Sequence, residues 1–313
     1  TKGLLACKPP LNSRPERLLT VADFLNESES IPFVGQVEES QRTSAHHKLY
    51  AAQPLLQVQE LTTQFITKKG FIKPTTTILH AVDHVSFDVF KGETLGLVGE
   101  SGCGKSTLGR SILRLIAPTS GKIIYNNCNL LDLSNEEMRV MRRKMQLIFQ
   151  DPFSSLNPRL TVGHAIAEPI RVHGLIKGEE AIKNRVMQLL KRVGLNEQHY
   201  NRYPHEFSGG QRQRVGIART LALEPEFIIC DESVSALDVS VQAQVLNLLN
   251  ELKQEFSLTY IFISHDLSVV KYMCDRIIVM QKGKIAEMAE ADALYAHPQS
   301  DYTKKLIAAI PEA

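Results

Sequence analysis

A glycine-rich stretch at residues 99–107, GESGCGKST, carries the clearest chemistry in the sequence. It fits the pattern G-x-x-x-x-G-K-[ST], in which backbone N–H groups close around phosphate oxygens at the start of a helix. Lys105 is expected to reach the β- and γ-phosphates, and the Ser106 hydroxyl is expected to bind Mg²⁺. The predicted nucleotide-binding residues are Gly99, Glu100, Ser101, Gly102, Cys103, Gly104, Lys105, Ser106 and Thr107.

The residues on either side of this stretch predict the elements that a phosphate loop requires. Residues 93–98 form a short apolar run that is typical of a buried parallel strand. Residues 107–116 predict a helix whose buried face carries Leu108, Ile112, Leu115 and Ile116. A glycine-rich turn arising by chance would not be expected to have both flanks, so we interpret residues 99–107 as a phosphate loop.

Polar side chains follow three further apolar runs, where predicted strands end. Asp231 comes after four apolar residues and could reach Mg²⁺ from a buried strand. The adjacent Glu232 is our candidate general base for an attacking water, a role that contributes roughly 10²–10⁴-fold to the rate. Gln150 could contact Mg²⁺ or its water, and His265 could hydrogen-bond the γ-phosphate, although each could instead be an ordinary turn or capping residue. The predicted metal ligands are therefore Ser106, Gln150 and Asp231.

A second turn suited to anions lies at residues 208–211, which we call the SGGQ turn. Ser208, Gly209, Gly210 and Gln211 precede a predicted helix, so their backbone N–H groups could also bind a phosphate. One phosphate loop already serves one nucleotide. The SGGQ turn is therefore predicted to serve the nucleotide of another domain.

The composition limits the classes of function. The 313 residues are 43% hydrophobic and 22% charged, which is ordinary for a globular protein, and the net charge of +2 argues against general nucleic-acid binding. No apolar run approaches the roughly 18 residues needed to cross a bilayer, so we expect any membrane role to run through a partner. Five scattered cysteines without metal-ligand spacing indicate reduced thiols.

The order of predicted elements indicates an α/β fold. Apolar strands alternate with helices from residue 54 to residue 290, which implies a parallel sheet with ligands at its carboxyl edge. Residues 151–207 read as a helical insertion, and residues 1–53 read as a tail and polar linker in which His46 and His47 are solvated. Residues 291–313 form a C-terminal extension.

Taken together, these motifs resemble those of the ATP-binding-cassette (ABC) ATPases. The resemblance rests on GESGCGKST, FSGGQ, four apolar residues before Asp-Glu, SALD at residues 235–238 and a strand-end histidine, in this order over residues 55–290. It implies a P-loop NTPase core with an antiparallel β subdomain and an inserted helical subdomain, together with ATP and Mg²⁺ as ligands. It also implies that two cassettes pair head to tail, with each ATP between the phosphate loop of one and the SGGQ turn of the other.

The resemblance assigns roles to single residues. It implies that Lys105 and Ser106 act on phosphate and Mg²⁺, that Asp231 binds Mg²⁺ and that Glu232 is the base. It also implies that Gln150 lies in the loop facing the transporter, that Asp238 acts across the dimer and that His265 is a switch. No aromatic residue is clearly placed to stack on adenine; Phe65 and Phe71 are the candidates.

A narrower resemblance is to the dipeptide and oligopeptide importer ATPases, whose relatives also handle nickel and glutathione. It rests on QDPFSSLNPR at residues 150–159, YPHEFSGGQRQR at 203–214, SALDVSVQAQV at 235–245 and HPQSDYTKKL near the end. The implied partners are a second cassette, identical or homologous, transmembrane permease subunits and, indirectly, a solute-binding protein. The implied location is the cytoplasmic side of the membrane, as a peripheral subunit.

Residues 1–6 resemble residues 303–308, and the N-terminal segment also resembles the end of a first cassette in fused members of this group. We therefore expect that the chain is the second half of a tandem protein, with an ordinary terminal helix as the rival explanation. The alternative function is a soluble ABC-type ATPase acting in DNA repair or translation. Such proteins usually carry a coiled-coil, zinc-bearing or strongly basic insertion, which residues 151–207 do not resemble.

Overall fold

A computed structural model describes residues 7–25, 34–69, 75–151 and 155–310 of the chain. These residues fall into two units: a first unit of residues up to Val37 together with 143–258, and a second unit of residues 38–142 together with the segment from Thr259 onward. The strands are β1 Pro54–Lys69, β2 Thr75–Phe90, β3 Thr94–Val98, β4 Ser120–Tyr125, β5 Cys128–Asn129, β6 Met145–Ile148, β7 Phe227–Asp231, β8 Thr259–Ile263, β9 Arg276–Gln281 and β10 Lys284–Glu290.

The α-helices of the described residues complete the element order. They are α1 Ala22–Leu25, α2 Glu39–Tyr50, α3 Lys105–Ile112, α4 Asn135–Lys144, α5 Val162–Val172, α6 Glu179–Arg192, α7 Gly209–Leu221, α8 Val239–Phe256, α9 Leu267–Met273, α10 Ala291–Ala296 and α11 Asp301–Ala308. None of them is long and apolar enough to cross a bilayer.

The second unit contains two sheets. The strands β1, β2, β4 and β5 form an antiparallel sheet in the order β2-β1-β4-β5. The central strand β3 pairs in parallel with both β8 and β9, and β9 forms an antiparallel hairpin with β10. All five residues of β3 and all five of β8 are buried, as the continuous apolar runs in the sequence predict.

The first unit contains a parallel pair of strands and most of the long helices. In this unit β6 pairs with β7, so that Ile148 lies opposite Cys230. The helices α5 and α6 fall within residues 151–207, where the sequence predicts a helical insertion. Of this insertion, residues 152–154 lie outside the described part of the chain.

The helix after the phosphate loop is shorter than its apolar pattern predicts. The helix α3 ends at Ile112, whereas the sequence predicts a helix to residue 116. Arg114 adopts a left-handed backbone with φ +51°, which breaks the helical path. Leu108 and Ile112 are buried as expected, but Leu115 is half exposed because it lies beyond the end of the helix.

The polar segment predicted to be a linker includes the helix α2. Its Arg42 forms ion pairs with Glu290 and Asp292, and its His46 lies 3.2 Å from a carboxylate oxygen of Asp275. The reading of His46 as solvated is therefore wrong. These polar contacts, together with the packing of Tyr50 against Phe90, hold the helix, so hydrophobic periodicity does not reveal it.

Candidate functional site

The phosphate loop occupies the turn between β3 and α3 in the second unit. Gly104 begins the helix with φ +109°, and no side chain caps it. The first turn of α3 therefore offers backbone N–H groups and the positive end of the helix dipole to an anion. This arrangement of strand, loop and helix is the one predicted from the sequence.

Two glycines allow the phosphate loop to pack against neighbouring backbone. A Cβ atom added to Gly99 would lie 2.2 Å from the carbonyl oxygen of Met280, and one added to Gly104 would lie 2.0 Å from that of Ala81. Both glycines also have positive φ, at +149° and +109°. Any side chain at either position would displace the loop from the strands that support it.

Lys105 is buried and turned toward the loop itself. Its side chain is 4% exposed, and its Nζ donates to the carbonyl oxygens of Gly99 at 2.8 Å and Glu100 at 3.0 Å. The neighbouring Cys103 is also buried, and burial raises the pKa of its thiol despite the opposing effect of Lys105. The thiol is therefore neutral at physiological pH, as expected for a cysteine that packs as a small apolar side chain.

His265 leaves the same edge of the sheet as the phosphate loop. Leu97 of β3 lies opposite Ile263 of β8, so Gly99 and His265 each follow that pair by two residues. His265 is exposed. The next residue, Asp266, caps α9 by accepting a hydrogen bond of 2.9 Å from the Ser268 N–H. The backbone of His265 is therefore held between a strand end and a helix cap.

Gln150 and Glu232 contact each other in the first unit. Ile148 lies opposite Cys230 in the parallel pair, and Gln150 and Glu232 each lie two positions after that pair. The Gln150 amide Nε2 donates to the Glu232 Oε2 at 3.0 Å. The sequence predicts roles for both residues but does not predict this hydrogen bond, which depends on the strand register.

Glu232 has a backbone conformation that is uncommon for a residue with a side chain. Its φ is +48°, and its carbonyl oxygen accepts hydrogen bonds from the Ser235 N–H at 3.1 Å and the Ser235 Oγ at 2.9 Å. The preceding Asp231 is only 1% exposed. The strand thus places a buried carboxylate first and turns the second one, Glu232, outward.

The SGGQ turn forms the first turn of α7. Ser208 caps this helix by accepting a 3.4 Å hydrogen bond from the Gln211 N–H, while the Gln211 Oε1 accepts a hydrogen bond of 3.0 Å from the Ser208 N–H. Ser208 and Gly209 are exposed. The reciprocal hydrogen bonds define a capping box that keeps this helix end rigid while leaving its surface open.

Gly210 and Asp238 meet at Val241 on α8. A Cβ atom added to Gly210 would lie 2.1 Å from the Val241 Cγ1. The Asp238 Oδ1 caps α8 by accepting a hydrogen bond of 3.0 Å from the Val241 N–H. The SGGQ turn and Asp238, which are distant in sequence, are therefore held together by the close approach of α7 and α8.

Two further residues bear on the sequence predictions. Tyr302, which lies in the HPQSDYTKKL segment but has no predicted role, accepts a hydrogen bond of 3.0 Å from the backbone N–H of Glu100 in the phosphate loop. No signal in the sequence links positions so far apart.

Of the candidates for stacking on adenine, Phe65 lies on β1 opposite Leu79 and is 39% exposed, whereas Phe71 lies outside the described residues.

Comparisons with known sequences point to one family. Residues 82–235 match the family described as ABC transporter. The oligopeptide transport ATP-binding protein OppF of Bacillus subtilis (strain 168) is 57% identical over 258 residues, which cover 82% of this chain and 82% of OppF. The glutathione import ATP-binding protein GsiA of Salmonella paratyphi A is 48% identical over 314 residues, covering 100% of this chain but 49% of GsiA. The chain thus spans about half the length of the GsiA relatives.

Solved structures have the same fold. A dimeric ATP-binding cassette in a post-hydrolysis state, bound to ADP and Pi, matches with a TM-score of 0.67 and 30% identity over 75% of this chain and 98% of that one. The protein cbiO1 from Clostridium perfringens, part of the transporter complex cbiONQ, matches with a TM-score of 0.66 and 28% identity over 79% of this chain and 92% of its own. The predicted α/β cassette fold is therefore confirmed.

Proposed function

Because this chain belongs to the ABC transporter ATPases, we propose that it powers an importer of peptides or related small solutes by hydrolysing ATP. The names of its relatives support the substrate class, since OppF is an oligopeptide transport protein and GsiA a glutathione import protein. Both are transport proteins, so the alternative of a soluble ATPase in DNA repair or translation is not favoured.

In this proposal the phosphate loop holds the triphosphate. The uncapped first turn of α3 supplies N–H donors, and Lys105 supplies a charge-assisted donor from within the loop. Phe65 stacks on adenine from β1. Oxygen donors suited to Mg²⁺ come from Ser106, Asp231 and Gln150, and the nearly complete burial of the Asp231 carboxylate fits a residue that faces a cation. Bound Mg²⁺ would neutralise charge on the β- and γ-phosphates.

Glu232 acts as the general base. Its carboxylate accepts a proton from the water that attacks the γ-phosphate, and the Gln150 amide holds that carboxylate through the 3.0 Å hydrogen bond. His265, which follows β8 in the second unit, hydrogen-bonds the γ-phosphate in this proposal. The left-handed backbone of Glu232 supports this role, because strained positions of this kind cluster at functional sites.

The observation that carries the proposal is that the starts of α3 and α7, among the described helices, each have a defined geometry suited to an anion. The phosphate loop serves the chain's own ATP, and the exposed SGGQ turn, with Asp238 beside it, serves the ATP of a second cassette. The dimeric cassette among the structural neighbours supports this pairing. The partner is a second copy or a homologous cassette, including one in the same polypeptide.

Transport requires that the ATP-driven closing of the two cassettes be passed on to permease subunits in the membrane. A cavity of about 250 Å³ in the first unit is lined by Phe149, Ser155, Pro169 and Arg219, among others. It lies next to Gln150, and the Arg219 guanidinium anchors its rim through the Ser155 carbonyl oxygen at 2.7 Å. We place the permease contact here, which makes the chain a peripheral subunit at the cytoplasmic side of the membrane. A solute-binding protein delivers the substrate to the permease, so the substrate does not touch this chain.

The variant Glu232→Gln tests the proposal. It removes the base but keeps the shape and a hydrogen-bonding group for Gln150, so ATP binding should persist while turnover falls roughly 10²–10⁴-fold. The ATP-loaded variant should accumulate as a closed dimer, measured by size-exclusion chromatography with light scattering in the presence of the natural partner cassette.

The matched control is Lys105→Ala. It removes a charge-assisted donor, so calorimetry should show ATP affinity reduced by about 10- to 100-fold and no ATP-dependent dimer. Normal hydrolysis by Glu232→Gln would exclude Glu232 as the base. A variant that binds ATP but stays monomeric at every concentration would exclude the paired site.

A further inference from the structure

The C-terminal helix α11 contacts the phosphate loop through one tyrosine. The hydroxyl of Tyr302, in the first turn of α11, accepts a hydrogen bond of 3.0 Å from the backbone N–H of Glu100. Both residues belong to the second unit. Glu100 and the next residue, Ser101, are exposed. The contact therefore reaches the outer part of the loop, which is less enclosed than its base.

The hydrogen bond from Glu100 involves the same peptide group that Lys105 binds. The N–H of Glu100 and the carbonyl of Gly99 are the two ends of one planar peptide unit. The Lys105 Nζ donates to the Gly99 oxygen at 2.8 Å, while the Tyr302 hydroxyl accepts from the Glu100 N–H. Held at both ends, this peptide cannot rotate without breaking a hydrogen bond.

Tyr302 is itself fixed to the sheet by the start of α11. The Glu287 carboxylate on β10 accepts hydrogen bonds of 2.9 Å from the backbone N–H groups of Gln299 and Ser300. Thr303, the next residue after Tyr302, is 1% exposed. The tyrosine hydroxyl is therefore presented by an anchored helix and not by a free terminus.

Tyr302 is also held in the protonation state that accepts this bond without adding charge. Burial raises the pKa of the Tyr302 phenol above its ordinary value, although the hydrogen bond from Glu100 opposes this shift. The hydroxyl is therefore neutral at physiological pH.

A second hydrogen bond supports the phosphate loop at Cys103, whose carbonyl oxygen accepts from the Gly283 N–H at 2.9 Å.

We propose that Tyr302 is a positioning residue for the nucleotide: it holds the Gly99–Glu100 peptide so that Lys105 and the loop are set to receive the triphosphate. This inference rests on the proposed binding of ATP at the phosphate loop. The competing explanation is that the contact only attaches α11 to the surface of the unit. In that case loss of the hydroxyl would not change the nucleotide affinity.

The test is Tyr302→Phe, which removes one oxygen atom and keeps the ring. Loss of one hydrogen bond should weaken ATP binding by about 2- to 10-fold in calorimetry. KM for ATP should rise by a similar factor while kcat at saturating ATP stays within about twofold, because Tyr302 touches the loop and not the reacting atoms. Unchanged affinity and KM would overturn the proposal.

The matched control is Tyr50→Phe in the same unit. The Tyr50 hydroxyl is buried without a hydrogen-bond partner among the described residues, so its removal should leave ATP affinity unchanged. An equal loss of affinity in both variants would attribute the effect to general destabilisation and would contradict the proposal.

Amide exchange without nucleotide separates this inference from the proposed function. In Tyr302→Phe the Glu100 amide should exchange about 2- to 10-fold faster than in the wild type, with no such change in Tyr50→Phe. If the wild-type chain failed to bind ATP, the proposed function would be wrong, while the exchange experiment would still test the hydrogen bond between Glu100 and Tyr302. If the Glu100 amide of Tyr302→Phe exchanged at the same rate as that of the wild type, Tyr302 would not hold this peptide.

Discussion

At the scale of single residues, the candidate site combines strain with rigid support. A residue with a side chain at φ +48°, such as Glu232, costs on the order of 1–3 kcal/mol and persists only when its surroundings hold it. Two hydrogen bonds from Ser235 hold its carbonyl, and Gln150 holds its carboxylate. Groups of the chain itself thus fix the direction of the Glu232 side chain, as expected for a base that must meet one water.

Gly210 provides a prediction at the same scale. In Gly210→Ala the added methyl group would collide with Val241, so the free energy of unfolding should fall by about 1–3 kcal/mol. ATP-dependent pairing should weaken as well, because α7 carries the SGGQ turn. Urea denaturation followed by circular dichroism measures the first effect.

Gly216→Ala on the same helix is the control for this experiment. A Cβ atom at Gly216 would meet nothing within 4 Å, so alanine should be neutral or stabilise the helix by up to about 1 kcal/mol. In a double-mutant cycle, Val241→Ala should recover part of the loss in Gly210→Ala. Equal stability of the two alanine variants would show that α7 and α8 do not pack as closely as described.

At the scale of elements, the starts of α3 and α7 are built in different ways. The helix α3 begins at a glycine with no side-chain cap, which leaves its N–H groups to a ligand in the same unit. The helix α7 begins with a reciprocal capping box between Ser208 and Gln211, which keeps its shape without a ligand. This difference fits a loop that closes around its own nucleotide and a turn that is presented to another.

The docking of α11 on β10 should depend on pH. Burial opposes ionisation of Glu287, but hydrogen bonds from Gln299 and Ser300 outweigh it, so the pKa of Glu287 lies below its ordinary value. Ionised Glu287 therefore stabilises the docked helix above about pH 4.3, the ordinary pKa of glutamate, and this contribution is lost as the pH falls through the lower folded pKa. Exchange of the α11 amides, corrected for intrinsic rates, should accelerate in this acidic range.

Glu287→Gln is the control for this pH dependence. It keeps one acceptor oxygen but cannot ionise, so its α11 amides should exchange faster than those of the wild type at neutral pH. The additional acceleration in acid should be absent. If wild type and variant showed the same pH profile, Glu287 would not be the group that titrates.

At the scale of the whole molecule, we propose that the chemistry belongs to a pair of cassettes. The phosphate loop and the SGGQ turn are each complete in local structure, but the proposal assigns them to different nucleotides. It follows that one chain with a defective loop and another with a defective turn can together form one intact site.

Mixing variants tests this arrangement. Lys105→Ala removes the loop's cation, and Ser208→Arg blocks the SGGQ turn, so each variant alone should lose most ATPase activity. If two copies of the chain pair, an equimolar mixture should regain up to about one quarter of wild-type activity. Half of the dimers are then mixed, and each of these has one intact site. Activity in a colorimetric phosphate assay should rise more than linearly with protein concentration.

The double variant Lys105→Ala/Ser208→Arg mixed with Lys105→Ala is the control, because no dimer in that mixture contains an intact site. Suppose that wild-type activity rises more than linearly with protein concentration, but that the mixture of Lys105→Ala and Ser208→Arg regains no activity. That result would contradict a shared site. If the wild type is active only with a homologous cassette, the same variants should be divided between the two different chains.

Local patterns in the amino-acid sequence predict the candidate site residues of this protein. The phosphate loop, the Asp231-Glu232 pair and the SGGQ turn each lie within a few consecutive residues. Each can therefore be predicted from residue types and spacing alone. The apolar runs likewise predict β3, β7 and β8, since burial on both faces demands continuous apolar residues. The helix α2 escaped prediction because polar contacts with residues far along the chain hold it.

Which of these residues contact one another depends on the three-dimensional packing of the chain. The hydrogen bond between Gln150 and Glu232 depends on the register of two strands. The contact of Tyr302 with Glu100 joins positions 202 residues apart, and Gly210 fits Val241 only because two helices approach closely. Such contacts follow from packing and register, which involve distant segments at once, and no local pattern of residue types encodes them.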